Sequence, residues 1–151
     1  MSVELATKTV KQKTSVKLST IYKMSLTPSL SPQEQAREFR RLFRVSNSQS
    51  TTARTTQRTL IVEEFKEFLE AESLFRGSPP LKAECLTELA DLVYVCYQYA
   101  ENMRWDLDEA LRRVHLSNLS KLDENDQPIY RADGKVLKGP LYKPPYLEDL
   151  V

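Results

Sequence analysis

The chain has 151 residues, 40% of them hydrophobic and 28% charged, the balance of an ordinary globular domain. It contains only three glycines, and long stretches free of Gly and Pro favour helices over a turn-rich all-β fold. No apolar run approaches the roughly 20 residues needed to cross a bilayer, so no membrane partner and a cytoplasmic location are expected.

The net charge of +1 hides a polarity along the chain. Residues 1–61 hold eleven Lys/Arg against three Asp/Glu, residues 62–110 hold four against twelve, and the remainder seven against six. A basic front and an acidic middle suit a site that pairs a metal cation with an anionic ligand, although solvated helix faces give the same counts. Cys85 and Cys96 stand eleven apart in one expected helix, which puts their Cα atoms about 16 Å apart, too far for a disulfide. They read as buried thiols in a reducing compartment.

Residues 1–30 are rich in Ser, Thr and Lys and lack an apolar signal core. They read as a basic, mobile tail. An organelle transit peptide and an extension upstream of a start at Met24 are the alternatives. The tail's five lysines are accompanied near its end by Ile21 and Tyr22 alone, so nucleic acid is not an expected partner. An ordered domain is expected over residues 31–151. It opens on "SPQEQAREFRRLFRV", where Ser31 suits an N-cap, Pro32 the first helical position and Glu34 a capping box. Phe39, Leu42 and Phe43 give this helix an apolar edge. A polar loop, "SNSQSTT", follows at 46–52.

A second helix is predicted from about Ala53 to Arg76, stopped by Gly77 and the "SPP" of 78–80. A third runs from about Leu81 to Met103 with the stripe Leu81, Cys85, Leu89, Leu92, Cys96, Tyr99 and Met103. Asp106 and Glu109 form a second capping box, opening a fourth helix to about Leu122. Short connections favour antiparallel neighbours, hence an all-α bundle of four to five helices. In the last thirty residues an Asp133-Gly134 turn between strand-like segments suggests a small hairpin, and Pro144-Pro145 bars a regular element after it.

The chemistry lies in the second and third helices. Glu64 and Glu67 fall on the line Leu60, Glu64, Glu67, Ala71, Leu74, where a packed helix normally places apolar residues, while Ile61, Phe65, Phe68 and Phe75 form the adjacent apolar line. Glu88 and Asp91 repeat the i, i+3 spacing on the third helix, with Glu63 and Glu84 close by. One helical Glu is ordinarily solvated or ion-paired, as Glu63 with Lys66 or Glu67 with Arg58 would be. Two acidic pairs on consecutive packing seams instead form a hard oxygen cage, suited to Mg²⁺ or Mn²⁺. A di-iron bundle needs Glu-x-x-His on two helices, but the single histidine, His115, has Arg112 three residues before it. A P-loop, a dinucleotide fingerprint and a nucleophile elbow are absent.

"RTLIVEEFKEFLEA" followed by "KAECLTELADLVYVCYQYA" resembles the all-α nucleoside triphosphate pyrophosphohydrolases, which include MazG, the dimeric dUTPases and phosphoribosyl-ATP pyrophosphohydrolase. Their E-x-x-E…E-x-x-D signature is matched by Glu64–Glu67 and Glu88–Asp91, with twenty residues between, and Glu63 matches a doubled acid. "VHLSNLSKL", "DGKVLKGPLYKPP" and "REFRRLF" resemble further motifs of the MazG-like, dUTPase-related branch, so the likeness covers residues 32–147.

The resemblance implies cleavage between the α and β phosphates of a nucleoside triphosphate, in the service of nucleotide-pool cleaning. Mg²⁺ would be held by Glu64, Glu67, Glu88 and Asp91. Glu63 would orient or deprotonate the attacking water. Lys121, Lys135 and Lys138, with Asn118, would bind the polyphosphate. Phe39 and Phe43 are candidates to stack on the base, with core packing the better reading for Phe43. Arg40 replaces a histidine of several relatives, which suggests a different base or sugar preference. A homodimer or homotetramer is implied, with the fourth helix and the hairpin completing the site across the interface. Phosphoribosyl-ATP hydrolysis is the rival activity, and the extended C-terminal segment argues against it. A non-catalytic nucleotide-binding module is the rival of another class, and the full set of acids argues against that.

Overall fold

The computed structural model describes residues 29–75 and 77–151; all but the end of the expected tail lies outside them. Among the described residues four helices follow in order, α1 (Pro32–Leu42), α2 (Thr51–Leu74), α3 (Pro79–Met103) and α4 (Leu107–Leu119), with a 3-10 turn at Glu148–Leu150. The all-α class is as expected, and no strand occurs among the described residues. The hairpin is reduced to one bridge, Tyr130 with Val136, closed around Gly134 at φ +84°. Positive φ is cheap there because glycine lacks a Cβ.

The helix ends follow capping chemistry. Ser31 Oγ accepts from Glu34 N–H, and the Glu34 carboxylate accepts from Ser31 N–H at 2.7 Å, completing the expected capping box. Ser50 caps α2 by accepting from Ala53 N–H, so this helix starts two residues before the expected Ala53. The "SPP" stop is corrected. Pro79 and Pro80 form the first turn of α3, where a missing N–H is no loss, and Gly77 at φ +84° turns the chain before them. The second capping box is half made. Asp106 accepts from Glu109 N–H, but the Glu109 carboxylate turns to Arg112 and Arg113. Helix α4 therefore begins as expected, yet it ends at Leu119 rather than Leu122.

Helices α2 and α3 form a long hairpin, α1 lies on the C-terminal half of α3, and α4 touches α1. The buried apolar core is small: Ala36, Ala71, Tyr97, Ala100 and Met103. Polar groups occupy the α1–α3 contact. Arg40 is buried, and its guanidinium donates to Asn47 Oδ1 (2.6 Å), the Ser46 carbonyl (2.9 Å) and Asn102 Oδ1 (2.9 Å). Asn102 in turn donates to the Ser48 carbonyl at 2.7 Å, and Gln33 donates to Glu101 at 2.7 Å. No buried side-chain polar atom among the described residues lacks a partner, as burial demands. Burial pulls the Arg40 guanidinium below its usual pKa, and Glu101 partly offsets this.

The expected apolar line of α2 is corrected in part. Phe65 is 47% exposed and Phe75 39%, while Ile61 and Phe68 are half-buried. Cys85 and Cys96 are free and half-buried, and burial raises the Cys96 thiol pKa.

Candidate metal centre

The long α2–α3 hairpin places the acidic pairs opposite one another. One carboxylate oxygen from each of Glu64, Glu67 and Glu88 lies within 4.8 Å of the other two. Glu64 and Glu88 are half-buried and Glu67 is exposed. Asp91 is exposed and stands outside this trio, yet its charge acts on both Glu64 and Glu88.

Burial first, then the negative charges of Glu67, Asp91, Glu88 and Glu63, raise the Glu64 pKa. Burial, then Glu67, Asp91 and Glu84, raise that of Glu88. Every charge acting on the pair is negative. Like charges gathered on a packing seam repel, and a bound cation removes that cost. The donor set fits a small hard cation. Ligand oxygens at about 2.1 Å from Mg²⁺ in octahedral geometry lie about 3 to 4.2 Å apart, inside the 4.8 Å limit that encloses the trio. Glu63 is exposed beside the trio, and its charge is the weakest of those acting on Glu64.

The expected phosphate-binding groups lie on the last turn of α4 and in the segment after it. Lys121 Nζ donates to Asn118 Oδ1 at 2.7 Å, and Lys138 Nζ sits 4.3 Å from the Tyr142 ring centroid. Lys135 is exposed in the Gly134 turn, its N–H donating to Asp133 Oδ1. His115 is exposed on α4.

Phe39 stacks on Phe43 with centroids 4.4 Å apart and meets Tyr94 edge-on at 5.8 Å. Tyr94 follows Asp91 by three residues on α3, so this aromatic cluster borders the acidic one. Sequence reasoning missed Tyr94, although its i, i+3 spacing from Asp91 was a usable signal. The Arg40 guanidinium is engaged with loop and α3 partners, a role the sequence did not show. A cleft of about 630 Å³ opens near Gln33, Arg37, Glu101 and Trp105 and includes none of Glu63, Glu64, Glu67, Glu88 and Asp91.

The family model of phosphoribosyl-ATP pyrophosphohydrolase matches residues 36–118, more than half of the chain. The chain belongs to this family. The phosphoribosyl-ATP pyrophosphohydrolase family is part of the all-α MazG-like superfamily of nucleoside triphosphate pyrophosphohydrolases, and an all-helical chain accords with it. Membership makes the protein a pyrophosphohydrolase of a generally metal-dependent kind. The matched region includes α2, α3 and all five acids of the expected site, and it stops before Lys121. No curated protein matches the chain. No helix among the described residues is long and apolar enough to cross a membrane.

Proposed function

We propose that the protein hydrolyses (deoxy)nucleoside triphosphates to the monophosphate and pyrophosphate, with Mg²⁺ as its cofactor, and so clears unwanted nucleotides from the pool. The observation that carries this reading is the trio of Glu64, Glu67 and Glu88, whose mutual repulsion asks for a cation. These three and Asp91 would hold the metal. When bound, Mg²⁺ neutralises phosphate charge and lowers the pKa of a coordinated water. Glu63, exposed beside the site, accepts a proton from the attacking water or orients it. Lys121, Lys135 and Lys138 offset the phosphate charge, with Asn118 holding Lys121. Phe39 and its neighbours offer the base an aromatic face.

The cations reach the carboxylates in an assembly of two or more chains. Val62, Phe65 and Leu69 on α2, and Leu86, Leu89 and Val93 on α3, are all exposed at i, i+3, i+7 spacing. A second α2–α3 hairpin covers such stripes and makes a four-helix core. In that dimer the partner's α4 and following segment supply the lysines.

Phosphoribosyl-ATP is the second reading, favoured by the family whose model matches. The segment beyond residue 118, which that match does not include and which carries Lys121, Lys135 and Lys138, favours the nucleoside triphosphate reading. The full chain with Mg²⁺, incubated with a panel of ribo- and deoxynucleoside triphosphates and with phosphoribosyl-ATP, is assayed for pyrophosphate. Release from a triphosphate supports the first reading. Release from phosphoribosyl-ATP alone replaces it with the second, and no release from any member refutes both.

A further inference from the structure

We infer that the segment after α4 is a strap that fixes the expected phosphate lysines as a pair, with Gly139 and Tyr142 as its positioning residues. The inference rests on the pyrophosphohydrolase reading for what the lysines bind, but its geometry stands apart from the carboxylates. The segment runs back along α4 and is tied to it at successive turns. Gly139 N–H donates to the Lys121 carbonyl at 2.9 Å. Lys143 N–H donates to Ser120 Oγ at 2.9 Å, and Ser117 Oγ donates to the Lys143 carbonyl at 2.7 Å. Arg113 donates to the Tyr146 carbonyl at 2.8 Å and to Asp149 at 2.9 Å. Ser117 is buried by this contact, although α4 has little packing against the other helices.

Gly139 is the point of closest approach. A Cβ built there would meet the carbonyl oxygens of Lys121 and Leu122 at 2.6 Å each, both of them backbone atoms just beyond the end of α4. Any larger residue must lift the strap. Lys138 immediately precedes this contact, so the approach brings its backbone to that of Lys121. Each of the two ammonium groups has a partner that directs it. Lys121 donates to Asn118 Oδ1, and Lys138 lies over the negative face of the Tyr142 ring, 4.3 Å from its centroid. The result is two aimed positive charges on a backbone clamp, the chemistry that holds a pyrophosphate group.

The test compares wild type with Tyr142→Phe, Tyr142→Leu, Lys138→Met, Lys138→Met/Tyr142→Leu and Gly139→Ala, all as full chains. Readouts are kcat and KM for the hydrolysed nucleotide, and pyrophosphate affinity by calorimetry. Tyr142→Leu should raise KM about two- to five-fold with kcat nearly unchanged, and Tyr142→Phe should keep the wild-type KM because the ring remains. In the Lys138→Met background Tyr142→Leu should add nothing, since its partner is already gone. Gly139→Ala should raise KM about tenfold with helical circular dichroism retained. An unchanged KM in Tyr142→Leu overturns the inference. So does a full additional loss in the double variant, which marks Tyr142 as merely structural. The two readings fail separately. A wild type without turnover refutes the enzyme, whereas pyrophosphate affinity indifferent to Tyr142 and Gly139 refutes the strap.

Discussion

Replacing Glu64 by Gln should stabilise the metal-free protein and at the same time destroy its response to Mg²⁺. Two carboxylates, Glu67 and Glu88, have oxygens within 4.8 Å of a Glu64 oxygen. At that separation each unit-charge pair costs about 0.9 kcal/mol in a water-like dielectric, and ionic strength near 0.15 M reduces the two together to about 1 kcal/mol. This is a floor, because Glu64 is half-buried and 4.8 Å is the outer limit. Relief of about 1 kcal/mol raises the melting temperature of a domain this size by about 2–4 °C. Mg²⁺ at a hundred times its Kd adds about 2.7 kcal/mol to the wild type. That is about 5–11 °C, and Glu64→Gln should lose most of it. The stability order of the two proteins therefore inverts on adding metal. Calorimetric melts in chelator and in Mg²⁺ read this directly. The pH dependence has the matching sign. The raised pKa values of Glu64 and Glu88 leave the metal-free wild type most stable while they are protonated, and it loses stability as pH climbs through those values. A metal-free Glu64→Gln melting at or below wild type, or an equal Mg²⁺ increment in both, refutes the reasoning.

Glu109 is held down to about 2 by Arg112 and Arg113, so its stabilisation is present above the unfolded value near 4.3 and is lost as pH falls toward 2. Glu109→Gln should flatten that part of an acid-unfolding curve followed by circular dichroism. Arg40→Leu leaves the Ser46 carbonyl, Asn47 and Asn102 without their donor, and urea unfolding should show a loss of about 3 kcal/mol. Phe65→Asp puts a charge in the exposed α2 stripe. Sedimentation should show a monomer whose pyrophosphate release is lost along with the assembly, and a dimer of unchanged mass would refute the proposed interface.

What could be read in the sequence is what short-range chemistry decides. Ser31, Pro32 and Glu34 specify the start of α1 within one turn, and the structure contains that box. The i, i+3 acids on two consecutive helices foretold the meeting of Glu64 and Glu67 with Glu88, because a short connection leaves an antiparallel hairpin little choice of register. Pro79 and Pro80 were misread because proline both ends one helix and begins the next, and only Gly77 before them shows which. Arg40 was unreadable for a different reason. Its partner Asn102 lies 62 residues away, and an arginine among polar neighbours on a short helix looks solvated. Where α4 and the lysines after it lie relative to the acids depends on long-range packing that no local pattern encodes.

The Arg40 contact also governs how α1 can move. A helix held by apolar side chains can slip around its own axis at little cost, because dispersion has no preferred direction. One held by a planar fork of hydrogen bonds cannot, since each donor must keep facing its acceptor. Arg40 thus works as a spline that fixes the azimuth of α1. Its neighbour in sequence is Phe39, and locking the rotation at one residue aims the ring at the next toward Tyr94. The face offered beside the acidic cluster is in this way set by a residue that need never touch a nucleotide.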